Sequence, residues 1–276
     1  MENVLVSIII TTKNEEKNIE NCLKSIKAQS YPNIEIIVVD NNSFDKTKEI
    51  AAKYTSNVFN YGPERSAQRN FGLMQKAKGE YTMFLDADMT LSPDLIMNCV
   101  EFIKQGNYVA LHISEVVTGE KFWSRVRRFE RSFYDGTVID GARFFRQNIF
   151  VKVGGFDETM SGPEDWDLDK KLKQIGAIDL VPSGNNRAVI YHNETEFDLK
   201  KYLQKKIYYA GSFANYINKW GKNDCDVKKQ FGPYYRYIGV FIERNKWIKI
   251  FEHPILSIGM IWLRFLVGFN YLLFKD

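Results

Sequence analysis

The sequence predicts an α/β fold built on a parallel sheet, with a basic helical tail behind it. Three observations predict it: β-branched apolar runs long enough for buried strands, helix-period stretches between them, and polar residues where those runs end. A length of 276 residues suffices for one large α/β domain or a domain with an appendage.

Val4 to Thr11 (VLVSIIIT) is the first buried strand. Asn14-Glu15-Glu16 opens a helix with Ile19, Leu23 and Ile26 on one face. After the turn Tyr31-Pro32-Asn33, Ile34 to Val39 forms a second strand that ends at Asp40. Asn41-Asn42-Ser43 caps a helix over Lys46 to Tyr54, and Asn57 to Asn60 is a short third strand. Ser66 to Ala77 is helical with Gly79 as its stop, and Tyr81 to Leu85 is a fourth strand running into Asp86-Ala87-Asp88. Gly141 to Val153 reads as one or two further strands, and the pattern from Trp166 through Leu168, Leu172 and Ile175 reads as an amphipathic helix.

Ligands of such sheets bind beyond the carboxyl ends of the strands. Three ends carry polar groups here: Thr11 to Glu15, Asp40 to Ser43 and Asp86 to Asp88. Any strand must also end in polar turn residues, so Asp40 alone is as readily a turn former. Along a strand-like path Asp86 and Asp88 face the same side. Two carboxylates that close repel unless a cation joins them. Oxygen ligands suit Mg²⁺ or Mn²⁺, which also bind phosphate oxygens. No GxxxxGK[ST] and no GxGxxG occurs, so a P-loop NTPase and a dinucleotide dehydrogenase are unsupported. Arg65 and Arg69, four apart at a helix start, are the basic side chains placed to meet phosphates, or else a pair of surface arginines. Glu164 and Asp165 follow Gly162-Pro163, where acids serve equally as helix-start residues and as general bases in a cleft. His192 ends the apolar run Ala188 to Tyr191, as a structural histidine or a metal ligand.

These pieces, in this order, resemble the family 2 glycosyltransferases from about Val4 to about His192. The resemblance implies a GT-A fold, a Rossmann-like mixed sheet flanked by helices. Ser7 to Glu15 is similar to the opening strand and loop, and Glu35 to Ser43 to the second strand, whose Asp meets the nucleobase. Arg65, Arg69 and Asn70 match the diphosphate-facing segment, and Asp86-Ala87-Asp88 matches the DxD element. Gly154-Gly155-Phe156-Asp157-Glu158 followed by Glu164-Asp165 matches the acceptor-side pattern. On this resemblance the catalytic residues are Asp165, as base, with Glu164 beside it. Substrate binding falls to Thr11, Thr12, Lys13, Glu15, Asp40, Asn42, Arg65, Arg69, Asn70, Asp86, Ala87 and Trp166. Asp88 and His192 are the metal ligands, for Mn²⁺ or Mg²⁺. Thr11 and Lys13 depart from the common Pro and Tyr of the opening loop. The implied donor is a nucleotide sugar, UDP-linked ahead of GDP-linked, and the implied reaction is direct displacement with inversion.

The expected organisation is a donor-binding half over residues 1–110, an acceptor-binding half over 111–196 and a tail over 197–276. From Phe197 onward 14 Lys and Arg face 6 Asp and Glu, a balance of +8, which leaves −4 for the rest of a chain whose total is +4. A basic, aromatic tail suits an anionic partner. Glu120 to Tyr134 is a basic amphipathic helix, either membrane-seeking or packed on the fold, and Leu199 to Trp220 is another lysine-rich helix. Ile255 to Phe274 is apolar for about the length that spans a bilayer. Arg264 within it would cost roughly 2.5–3.5 kcal/mol at mid-membrane. An interfacial or re-entrant helix is therefore expected ahead of a span, with a homodimer helix as the alternative. The acceptor expectation is a glycan or lipid-linked sugar, and the location expectation is the cytoplasmic face of the membrane.

Three cysteines without a CxxC pair give neither a disulfide framework nor a zinc site, and no signal peptide is expected. A sugar-1-phosphate nucleotidyltransferase would carry a Gly-rich, Lys-containing opening loop, which Thr11 to Glu15 is not. A nucleic-acid-binding module would not need the carboxylates Asp86, Asp88 and Asp165, so no nucleic acid is expected. A degenerate protein that binds nucleotide sugar without transferring it is the remaining alternative.

Overall fold

The computed structural model describes residues 4–184 and 188–273. Residues 1–3 and 274–276, including Phe274 of the predicted apolar run, lie outside the described residues. In chain order the first elements are β1 (Val6–Thr12), α1 (Ile19–Lys27), β2 (Ile34–Asp40), α2 (Thr47–Ala52), β3 (Val58–Asn60) and α3 (Arg65–Asn70), which runs into a π-helix over Phe71–Lys76. Then follow β4 (Tyr81–Asp86), β5 (Met89–Leu91), α4 (Leu95–Gln105), β6 (Ala110–His112), β7 (Ser114–Thr118) and α5 (Phe122–Arg131). Next come β8 (Phe144–Arg146), α6 (Gln147–Lys152), α7 (Glu164–Lys173), β9 (Ile178–Leu180) and β10 (Val189–Asn193). The last elements are α8 (Leu199–Ala210), α9 (Phe213–Trp220), α10 (Cys225–Phe231), α11 (Val240–Ile242), α12 (Ile248–Glu252) and α13 (Pro254–Leu273).

The chain forms two compact units. One comprises residues 1–114, 141–158 and 164–192; the other comprises 115–140, 159–163 and 193–276. The first unit is the mixed α/β body. Its seven-stranded sheet runs β3-β2-β1-β4-β8-β6-β9. The strands β1, β2, β3 and β4 are parallel, and β8 runs antiparallel to both β4 and β6. Every residue of β1 is buried, and alternation sends Ile8 and Ile10 into one apolar layer and Ile9 into the other. Strand order reverses at β1, whose neighbours are β2 and β4, and there Thr11 stands in register with Asp86. That reversal is where an open α/β sheet leaves a crevice for a ligand.

Two local expectations are corrected. Gly141 to Val153 is not strand throughout: only Phe144–Arg146 pair with β4 and β6, and Gln147–Lys152 form α6. A short apolar run fits either period. Here Phe150 turns into the core while Val151 stays 44% exposed, a division that a short helix makes on one face. The helix predicted over 66–77 is α-helical only to Asn70 and continues as the π-helix. Within it Gly72 rides on β1, where a Cβ would come within 2.5 Å of Ile9. The strand β5 falls outside the predicted elements; it pairs antiparallel with β10, setting Met89 opposite His192.

In the second unit α13 packs along α5 and α8. The predicted amphipathic face of 120–134 is settled as packing for Val126, Phe129 and Phe133, which are buried, while Phe122 is 45% exposed. A Cβ on Gly259 of α13 would come within 2.7 Å of Val126, so the two helices approach where only glycine fits. Arg127 pairs with Glu130 at 2.5 Å, and Arg131 pairs with Glu115 at 3.1 Å and Asp140 at 3.3 Å. Arg264, the interruption in the apolar run, is buried and donates to Glu130 at 3.1 Å.

Candidate active site

Arg69 is the centre of the site. It lies on α3, and its side chain is only 1% exposed. Its guanidinium lies on the Phe84 ring at 4.2 Å and near the Phe156 ring at 5.3 Å, a planar cation between aromatic faces. One nitrogen donates to Asp86 at 3.1 Å; the other reaches Asp165 at 3.2 Å and Glu164 at 3.5 Å. Burial alone would weaken the charge, but Asp86 and then Asp165 more than offset it, and the guanidinium is held more firmly protonated than usual. Arg65, one turn earlier and about a third exposed, stands 3.8 Å from Asp86 and 3.7 Å from Glu164. The spacing of four brings both arginines to one side of the helix start.

Asp86 ends β4 and also accepts from the Thr11 hydroxyl at 3.2 Å. Ala87 and Asp88 make a turn rather than a continued strand, so the two carboxylates find different partners. One oxygen of Asp88 lies 3.2 Å from Nε2 of His192. The other is buried without a hydrogen-bond partner. Glu15, on the loop after β1, lies in the field of both aspartates. Burial first, and then Asp88 and Asp86, push its carboxyl above the usual range. Among the described residues no group of three or more His, Cys, Asp and Glu side chains is gathered to hold a metal ion by itself.

Glu164 and Asp165 open α7, and their environments differ. Glu164 is 3% exposed, and burial and then Asp165 push its carboxyl above the usual range. Asp165 is 29% exposed, so it is the carboxylate open to an incoming group. Gly141 makes room for it, since a Cβ there would come within 2.8 Å of Asp165. The loop carrying Gly141 is fixed by Asp169, which accepts from the backbone N–H of Ala142 at 2.8 Å and pairs with Nε2 of His112 at 2.6 Å. Burial would raise the Asp169 carboxyl, but His112 outweighs it and holds the group low. Neither His112 nor Asp169 was singled out from sequence. The only signal was a histidine in an apolar run and an acid one turn beyond Asp165.

Asp40 is wholly buried, and Ser43 donates to its two oxygens from Oγ at 2.5 Å and from the backbone at 2.7 Å. In this structure Asp40 therefore closes the Asn41–Ser43 turn, in which Asn42 takes a left-handed φ of 51°. Thr12 is buried and Lys13 exposed, both at the end of β1. The carbonyl of Thr12 accepts from the Gln68 amide, which also donates to Val39 at 2.7 Å; Gln68 thus ties α3 to β1 and β2 and was missed from sequence. Asn70 holds the Gly-Gly-Phe loop through Phe156, donating at 2.9 Å and accepting at 2.9 Å. Trp166 is half-buried on α7, beside Asp165.

The chain is similar to known proteins in sequence and in fold. A family model described as glycosyl transferase family 2 matches residues 7–157. An uncharacterized glycosyltransferase of Rickettsia typhi is 24% identical over 291 residues, covering 99% of this chain and 89% of that protein. A dolichol-phosphate mannosyltransferase of Pyrococcus furiosus is 34% identical over 190 residues, which is 65% of this chain and 49% of that protein. The mannosyltransferase PcManGT of Pyrobaculum calidifontis, solved in complex with GDP-Man and Mn²⁺, shares the fold with a TM-score of 0.61 at 18% identity, over 98% of this chain and 75% of that one. The matched segment begins in β1, ends in the Gly-Gly-Phe-Asp loop and takes in Arg69, Asp86 and Asp88: the chain belongs to glycosyl transferase family 2.

Proposed function

We propose that this chain is an inverting glycosyltransferase that moves a sugar from a nucleotide-sugar donor to a hydroxyl of a glycan or lipid-linked acceptor, working at the cytoplasmic face of a membrane. The observation that carries the reading is the arginine-centred cluster, which holds Asp165, its most exposed carboxylate, beside the carboxyl end of β4.

Asp165 takes the proton of the acceptor hydroxyl as the oxygen attacks the anomeric carbon. The new C–O bond forms as the bond to the diphosphate breaks on the opposite side, so no covalent enzyme intermediate arises. Arg69 aims Asp165 through a direct hydrogen bond, and Glu164 holds the same guanidinium from within the core. Arg65, partly exposed, is the arginine of the cluster open to the departing diphosphate. Asp86 and Thr11 hold the donor side. The unpartnered oxygen of Asp88, together with His192, would hold a Mn²⁺ or Mg²⁺ ion. A divalent ion there supplies charge neutralisation for the leaving group.

Membrane location is supported by α13. Ile255, Ile258, Ile261, Trp262, Phe265 and Phe269 are between 48% and 71% exposed, while Met260, Leu263 and Arg264 face inward. The exposed stripe repeats at three and four residues, so one face of the helix is an apolar strip. The tail's excess of Lys and Arg suits anionic headgroups beside it. Flotation of the full chain with anionic liposomes tests this; a protein that stays in the dense fraction, or elutes as a stable dimer with α13 protected, opposes it. The transfer reading is tested by Asp165→Asn, which should retain donor binding and lose product formation.

A further inference from the structure

The α/β unit holds a cavity of about 700 Å³. It lies between the π-helix, the Gly154–Glu158 loop and Lys171 of α7. Arg69 turns inward to the ion cluster at 1% exposure, whereas Met74, one turn later, is 37% exposed on the cavity wall. Cavity and cluster therefore use different faces of one helical segment. A π-helical turn is rare and tends to mark a functional position.

The lining has a consistent chemistry. Tyr61 and Phe71 stack with ring centroids 4.4 Å apart and planes 10° from parallel, and Tyr61 is 38% exposed. This is a preformed flat apolar platform at the surface. Beside it stand the carboxylates of Asp157 and Glu158 and the amide of Gln75. Glu158 is steadied by the Asn70 amide at 2.9 Å. Lys171 adds little positive charge, because it is engaged by Asp167 at 2.9 Å and by the carbonyl of Gly155 at 2.9 Å. The one lysine lining the cavity among the described residues is thus already committed, which disfavours a phosphate there. An aromatic plate flanked by acceptor oxygens suits a neutral ring with one apolar face and a rim of hydroxyl donors.

We propose that this cavity is a saccharide-binding site, distinct from the place of transfer, that holds a segment of an oligosaccharide with one ring on Tyr61. Its use as an anchor for a glycan acceptor rests on the transferase reading; its binding of saccharide does not. The site touches both elements that carry the ion cluster, α3 through Asn70 and α7 through Lys171.

The test is a saturation-transfer NMR experiment and titration of the full chain, without nucleotide or metal, against cellotriose, chitotriose, mannotriose and maltotriose. At least one should bind saturably. Tyr61→Ala should lose about tenfold in affinity, in line with an aromatic contact of about 1.4 kcal/mol, and Tyr61→Phe should restore it. Donor binding should be the same in all three proteins. No saturable binding by any of the four, or equal binding by Tyr61→Ala and the unaltered chain, overturns the proposal. Because no nucleotide is present, either result leaves the transfer chemistry to be judged on its own measurements.

Discussion

Arg69 and Asp165 stand 96 positions apart in sequence and meet at 3.2 Å, joining the helix after β3 to the start of α7. The same guanidinium reaches Asp86, so one buried cation aligns the donor-side strand end with the acceptor-side helix. Removing it takes the buried cation from between these carboxylates and leaves the partly exposed Arg65 near Asp86 and Glu164.

Arg69→Ala should therefore destabilise the protein by about 3–5 kcal/mol, the usual result of leaving buried charge uncompensated. Arg69→Lys should recover part of the stability but not the geometry, since a point charge cannot bridge three carboxylates as a planar fork does. Thermal unfolding of the three proteins checks this, and equal midpoints for Arg69→Ala and the unaltered chain would remove Arg69 from its central place.

Asp165→Asn should keep the fold and donor binding and slow transfer by about 10²–10⁴-fold, the range for loss of a general base. Glu164→Gln should slow it much less, because Glu164 is buried beneath Asp165. Product formation measured with each variant at saturating donor separates the two roles. If Glu164→Gln proved the more damaging at unchanged stability, the base assignment would pass to Glu164.

Much of the first unit was legible in the sequence. The β-branched runs ending at Thr11, Asp40 and Asp86 read as buried strands and form β1, β2 and β4, and the polar ends converge because parallel strands share one carboxyl edge. The hub was not legible: a spacing of four places Arg65 and Arg69 on one side of a helix but says nothing of a carboxylate 96 residues on. His112 with Asp169, and Gln68 with Thr12 and Val39, were hidden for the same reason, being contacts made only by folding. Alternation along Asp86-Ala87-Asp88 misled, because the chain turns after Asp86 to start β5. Arg264 looked like a flaw in an apolar helix, and its partner Glu130 lies 134 positions earlier.

Glu130 gives a pH signature. It is buried, and although burial would raise its carboxyl, Arg127 and then Arg264 hold it down to about 2. A carboxyl lowered in the folded state adds stability that is complete above its unfolded value, near 4.5, and fades as pH falls toward 2. Acid unfolding followed by tryptophan fluorescence should show stability dropping by about 2–3 kcal/mol through that window. Glu130→Gln should be less stable at neutral pH and should lose most of this dependence. An unchanged acid profile in that variant would contradict the buried pairing.

The most direct measurement is calorimetric titration of UDP-, GDP- and dTDP-linked sugars into the full chain, with and without Mn²⁺, alongside Asp88→Ala. Saturable binding of one nucleotide class is expected, strengthened by Mn²⁺ in the unaltered chain and insensitive to Mn²⁺ in Asp88→Ala. Binding of none of them by the folded protein, or a Mn²⁺ effect that survives Asp88→Ala, would contradict the donor site described here.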